Sequence, residues 1–165
     1  MRLRPITEDD ADAVLALNAE SEHLMSPLDR SGLNWMRAHA HRVDVVEVDE
    51  SSAVAAFVVV FGSDAVYDSP NYRWFQQHYG REFLYLDRIA VDPGKRRAGI
   101  GGFVYDDVEA EAATHRRLAL EVNAVPPNQP SLAFHSRRGY REVGRLELGN
   151  GNGKVNVMLV KDLPS

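Results

Sequence analysis

The chain has 165 residues, 44% of them hydrophobic and 26% charged, with a formal net charge of −5 and no cysteine. That size and balance fit one globular domain around a single core and argue against general disorder. Disulfides, thiolate metal sites and a cysteine nucleophile are excluded, the acidic balance argues against a nucleic-acid binder, no apolar run approaches the length of a membrane span and the opening "MRLRPITEDD" lacks the apolar region of a secretory leader, so a cytoplasmic location without membrane partners is expected.

Along the chain, "MRLRPI" alternates weakly and predicts a first strand. "TEDDADAVLALNAES" opens with Thr7 and carries Asp10 three places on, a variant of the capping box, and Val14, Leu15 and Leu17 give a partial helical stripe. "SPLDRSGLNWMRAHA" reads as a second helix after a proline-marked turn. "VDVVEV" and "AVAAFVVVF" read as strands of a hairpin joined through "DESS". Residues 62–82 are polar and aromatic without a clean period and read as a long loop, functional or a small substructure of its own.

"FLYLDRIAV" is a nearly continuous β-forming run, as in a buried central strand. Residues 99–113 then read as a helix, "RLALEVN" as another buried strand, and "NQPSLAFHSRRGY" as a short helix stopped by Gly139. "YREVGRLEL" and "KVNVMLV" flank "GNGNG" as a final hairpin. The order β-α-α-β-β-β-α-β-α-β-β mixes hairpins with crossovers. It predicts an α+β class: a single domain over residues 1–165 with a mixed, mostly antiparallel sheet flanked by helices.

The stretch "DPGKRRAGIGG", residues 92–102, sits where a central strand gives way to a helix. The opening N–H groups of a helix lack intrahelical partners and carry the positive end of its dipole, and glycine lets a ligand approach the backbone. Together these make an anion site suited to phosphate. The spacing is neither that of a nucleoside-triphosphate P-loop nor of the dinucleotide fingerprint. Arg96-Arg97-Ala98-Gly99-Ile100-Gly101 resembles instead the [QR]-x-x-G-x-[GA] pyrophosphate loop of the GNAT superfamily of N-acetyltransferases. The preceding "IAVDP" and the downstream "NQPSLAFHSRRGYREVG" are similar to other parts of that pattern. The resemblance spans nearly the whole chain and is strongest over residues 83–144.

The resemblance implies an acetyl-CoA-dependent N-acetyltransferase that moves the acetyl group directly to a primary amine in a ternary complex. The cofactor's pantetheine arm would bond the backbone of Ile89, Ala90 and Val91. N–H groups of Arg96, Arg97, Ala98, Gly99, Ile100, Gly101 and Gly102 would hold the pyrophosphate, and Asn128 would bond the arm. Lys95, Arg97, Arg137 and Arg138 are unranked candidates for the ribose phosphate. Where the family usually has tyrosine as the acid for the leaving thiolate, this chain has His135, with Tyr140 and Tyr105 in reserve. An imidazolium is a stronger acid than a thiol, so that transfer is downhill.

Two carboxylates stand inside apolar runs, where a charge is costly unless paired or functional. These are Asp87, which simple alternation places on the face of Ile89 and Val91, and Glu121. Asp87 is favoured as the base over Glu121, and an ion pair with Arg88 is its structural alternative. By family position the acceptor pocket falls to Glu22, Asp29, Tyr67, Tyr72 and Trp74, carboxylates and aromatics that suit a cationic amine. The acceptor is expected to be a small-molecule or peptide amine. No histidine spacing suggests a metal site, and the chemistry requires none. A homodimer is expected from the way family members pair. A catalytically silent acyl-CoA sensor is the alternative that shares the cofactor motifs.

Overall fold

Strand β3 (Val54–Gly62) sets the plan of the molecule: Ala55 to Phe61 are all inaccessible to solvent, so both its faces are covered. Phe57, Val59 and Phe61 point into one apolar cluster, and Ala56, Val58 and Val60 into a second. This is the period of two expected of an extended chain. The computed structural model describes residues 1–50, 53–148 and 153–164. Around β3 lies a seven-stranded sheet of order β1-β2-β3-β4-β5-β7-β6, comprising β1 (Arg2–Pro5), β2 (Arg42–Glu47), β4 (Leu84–Val91), β5 (Arg117–Val125), β6 (Arg141–Glu147) and β7 (Val155–Asp162). Only β4 and β5 run parallel; the other pairs are antiparallel. The expected α+β class and single mostly antiparallel sheet are observed.

Helices α1 (Ala11–Glu20), α2 (Arg30–His39) and α3 (Pro70–Tyr79) cover one face through Val14, Leu33, Tyr72 and Phe75. Helices α4 (Ile100–Ala112) and α5 (Gln129–Arg137) cover the other, chiefly through Ile100, Val104 and Val108. At α1 the Asp10 carboxylate accepts from the Thr7 N–H at 2.7 Å, the reciprocal half of the expected capping box. Arg4 clasps the same carboxylate at 2.7 and 2.8 Å and holds it down to about 2.

Helix α3 corrects the loop expected over residues 62–82, and the element order becomes β-α-α-β-β-α-β-α-β-α-β-β. Its local chemistry is sufficient. Ser69 caps the start by accepting from the Tyr72 N–H, Pro70 stands in the first turn, and Gly80 ends it at φ 62°. Tyr72, Phe75 and Tyr79 form the core-facing stripe. The "GNGN" of the final turn (149–152) and Ser51 and Ser52 of "DESS" lie outside the described residues.

Two irregularities shape the centre of the sheet. Strands β4 and β5 pair only at Leu84 with Leu118 and at Tyr85 with Ala119, and then part. From Leu86 to Val91, β4 therefore keeps its hydrogen bonds to β3 but has an unpaired edge toward β5. Against β3, Val60 faces Leu86 and Val59 faces Arg88, leaving Asp87 as the extra residue of a bulge.

Candidate active site

Where β4 and β5 part, a cavity of about 390 Å³ opens between them. Residues 22–27 and Tyr67 wall it on one side, α5 on the other, and both strands form its floor.

The start of α4, whose residues 96–102 do not line this cavity, is made of backbone. Gly99 caps the helix in the left-handed region at φ 80°, where a side chain would be strained. The N–H groups of Ile100, Gly101 and Gly102 occupy the first turn and have no intrahelical acceptor. Packing does not demand glycine here: a Cβ on Gly101 would come no nearer than 3.8 Å to Phe134, and one on Gly102 no nearer than 3.8 Å to Arg138. Bare backbone that its own fold does not require is what a phosphate group pressed against it would require. Arg96 and Arg97 are exposed, and no ion pair ties them to a carboxylate among the described residues. Arg138 is different. Asp106 at 2.7 Å and Glu109 at 3.1 Å hold it over the rings of Tyr105 and Phe134, so it is a packing group. Asn128 caps α5 with its Oδ1, 3.3 Å from the Ser131 N–H, which leaves its Nδ2 to the cleft that the residue lines.

The bulge changes the expected facing of Asp87. Its carboxylate accepts from the Tyr67 hydroxyl at 2.7 Å and pairs with Arg88 at 2.7 Å, toward the layer of α1–α3. Ile89 and Val91 pack on the α4 side instead. The extra residue breaks the alternation that would have put the three together. Arg88 in turn donates to Asn18 at 2.9 Å and to the Ser26 carbonyl at 3.0 Å, fastening the 22–27 segment to the sheet.

Glu121 is less committed. It accepts from the Tyr85 hydroxyl at 2.9 and 2.7 Å and from the Asn71 amide at 3.2 Å, with no cation in hydrogen-bond contact among the described residues. Burial between the strands lifts it to about 8; the Tyr85 hydrogen bond opposes that and the nearby Asp87 charge adds to it. A carboxylate poised there is half-ionised at about pH 8, and its ionised form has the basicity to remove a proton.

His135 is 5% exposed. Its Nδ1 lies 2.7 Å from the Ser131 carbonyl, which fixes the proton on that nitrogen, and its Nε2 accepts from the Tyr105 hydroxyl at 2.7 Å. Burial holds the ring below its ordinary value. In this state it has no proton to offer the cleft; it holds Tyr105, which lines the cleft with it. Tyr140 is engaged elsewhere, donating to Glu109 at 2.8 Å.

Of the five residues assigned to acceptor binding, Glu22 and Tyr67 line the cleft. Asp29, Tyr72 and Trp74 do not. Asp29 caps α2 by accepting from the Gly32 N–H at 2.7 Å. Tyr72 is wholly buried and donates to the Gly62 carbonyl. Trp74 stacks on His78 and packs against Gly144. The aromatics of this segment mostly anchor α3. Sequence reasoning missed Asn71 and Asn156, which line the cleft, and Tyr85, which holds Glu121. Among the described residues no group of three or more acidic or histidine side chains is placed to hold a metal, and no helix is long and apolar enough to cross a membrane.

The same architecture recurs among solved structures. The chain superposes on smu.2055 from Streptococcus mutans UA159 with a TM-score of 0.76 at 17% identity, covering 98% of this chain and 99% of that one. Naa20 of Chaetomium thermophilum, solved with a bisubstrate analogue, gives 0.76 at 17% identity over 99% and 87%. The ribosomal-protein-S18-alanine N-acetyltransferase of Escherichia coli gives 0.70 at 16% identity over 99% and 94%. Identities this low speak for the fold alone. Comparison with curated proteins found no significant match. Residues 10–140, however, match the model of the acetyltransferase (GNAT) family, a span holding the glycine junction, both candidate carboxylates and the α5 motif. The chain belongs to the GNAT family of acetyltransferases.

Proposed function

We propose that this protein transfers the acetyl group of acetyl-CoA directly to a primary amine, with Glu121 as the base. The observation that carries the reading is two features joined by one open strand edge. An unpaired strand edge leads to a glycine-built helix start, and a carboxylate lifted to about 8 stands on the facing strand. Bound acetyl-CoA supplies the activated acyl carbonyl. The residues fit it: the free edge at Ile89, Ala90 and Val91 would offer N–H and C=O groups to an extended arm, the loop from Arg96 to Gly102 would offer N–H groups to the pyrophosphate, and the Asn128 Nδ2 would donate to the arm.

Glu121 takes the proton of the incoming ammonium, and Tyr85 and Asn71 orient it for that task. Asp87, neutralised by Arg88, positions Tyr67 and the 22–27 wall rather than acting as the base. Tyr105, whose hydroxyl rests on the His135 Nε2, turns that proton to the departing sulfur. Glu22 and Tyr67 meet the acceptor, a small-molecule or peptide amine. The test is thiol release from acetyl-CoA across a panel of amines, with cofactor binding followed by its effect on Tm. Amine-dependent release is expected. Binding without turnover on any amine would favour a silent acyl-CoA sensor, and absence of binding would overturn the reading.

A further inference from the structure

Asn156, on β7, is 4% exposed and lines the cleft. Its Oδ1 is buried without a hydrogen-bond partner, the one such side-chain atom among the described residues. The orientation of this amide is dictated from the far end of a chain of contacts. In the ionised form that acts as the base, the Glu121 carboxylate can only accept, so the Asn71 Nδ2 must then face it, at 3.2 Å. The Asn71 Oδ1 then faces Asn156, so the Asn156 Nδ2 must donate to it, again at 3.2 Å. What remains of Asn156 is its carbonyl oxygen, turned away from Asn71. A buried acceptor in this condition is unfavourable until a donor reaches it.

We propose that Asn156 is a specificity-determining residue for the acceptor: its Oδ1 receives a neutral N–H or O–H that the acceptor carries close to its reacting amine. This rests on the acetyltransferase reading above and adds the chemical class of the substrate. A neutral donor is the match because the amide oxygen carries no formal charge. A second ammonium brought to so dry a position would lack a counter-ion, since the adjacent carboxylate serves the reacting nitrogen. Acceptors of the required kind are α-amino amides, including peptide N-termini, and amino alcohols. Simple diamines and polyamines lack the donor. Through Asn71, the residue that reads the acceptor is tied to the residue that deprotonates it.

The experiment compares kcat/KM for two matched acceptor pairs, alanine N-methylamide against alanine methyl ester and an amino alcohol against its methyl ether. Each is run on the wild type, Asn156→Leu and Asn156→Asp. In the wild type the donor-bearing member of at least one pair is expected to be favoured about tenfold beyond the preference in Asn156→Leu; comparing the ratio across variants cancels the intrinsic reactivity of the amines. Asn156→Asp, nearly isosteric, is expected to gain activity toward a diamine, which a variant that merely failed to fold would not do. Equal ratios in all three proteins, or a wild-type preference for a polyamine over every donor-bearing acceptor, would overturn the proposal and leave the acetyltransferase reading intact. No transfer to any amine would overturn both.

Discussion

The cleft and the start of α4 beyond it are built from different materials. The α4 side offers backbone: a left-handed Gly99 and a first turn whose Gly101 and Gly102 leave the helix start bare. The α3–β5–β7 side offers side chains in series, with Tyr85 and Asn71 on Glu121 and Asn156 on Asn71. Backbone N–H groups suit a partner that never changes, and a chain of side chains can be altered one member at a time. A family that keeps one cofactor while changing acceptors would divide its cleft in this way.

The comparison is broken most severely at Glu121. Glu121→Gln keeps the shape and removes the base, and kcat is expected to fall by about 10²- to 10⁴-fold. Only the ionised carboxylate accepts a proton, so the wild-type rate should climb as pH rises through about 8, and that limb should vanish in the variant. Stability runs the other way. The folded value lies above the ordinary value of 4.5, so the neutral form is favoured by folding. Its contribution is complete below the ordinary value and is lost as pH rises toward and through about 8. Melting curves of Glu121→Gln should therefore be flatter than those of the wild type across that window. A rate unaffected by the substitution would remove Glu121 as the base.

Next in size is the α4 side. Gly101→Val should weaken acetyl-CoA binding by about tenfold or more, equivalent to about 1.4 kcal/mol, with Tm nearly unchanged. Gly101→Ala, whose added methyl meets Phe134 at an ordinary 3.8 Å, should leave Tm unchanged and weaken binding less than Gly101→Val does. Asn71→Ala should do the reverse, altering the acceptor's kcat/KM while cofactor affinity stays constant. If either variant moved both affinities alike, the division of the cleft would be wrong. At Gly144 a Cβ would lie 2.5 Å from the Trp74 ring, so Gly144→Ala should cost about 1–3 kcal/mol in denaturant unfolding with cofactor affinity preserved in the folded fraction. The smallest effect expected is at His135. His135→Gln should lower kcat less than Tyr105→Phe does, because the imidazole positions the hydroxyl; the opposite order in steady-state kinetics would return His135 to the role of acid.

The same contrast explains what the sequence made legible. The glycine junction could be read because its parts are consecutive, and the backbone they shape is their own. Helix α3 was also written locally, in Ser69-Pro70, the spacing of Tyr72, Phe75 and Tyr79, and Gly80. Its apolar stripe is aromatic and set among polar residues, so it looks like loop chemistry until the period is counted. The facing of Asp87 could not be read from β4 alone, because the bulge exists only in its register with β3. Nor could the amide chain, since Asn71 and Asn156 stand 85 positions apart and meet only through the sheet. Asp29, Tyr72 and Trp74 have the composition of a binding site, but a cap, a buried hydroxyl and a stacking partner account for them.

The parting of β4 and β5 also bears on solubility. An unpaired strand edge is an invitation to aggregate, because any other extended chain can add to it. Proteins usually blunt such edges with charge, proline or an early end to the strand. Here the open edge lies in the middle of the sheet, and its Leu86–Ile89 stretch is at the bottom of a cleft walled by residues 22–27 and α5. A single slender guest can lie along it, but the broad rim of a neighbouring sheet cannot be brought down to it. The protein thus keeps a sticky edge for its ligand and hides it from copies of itself.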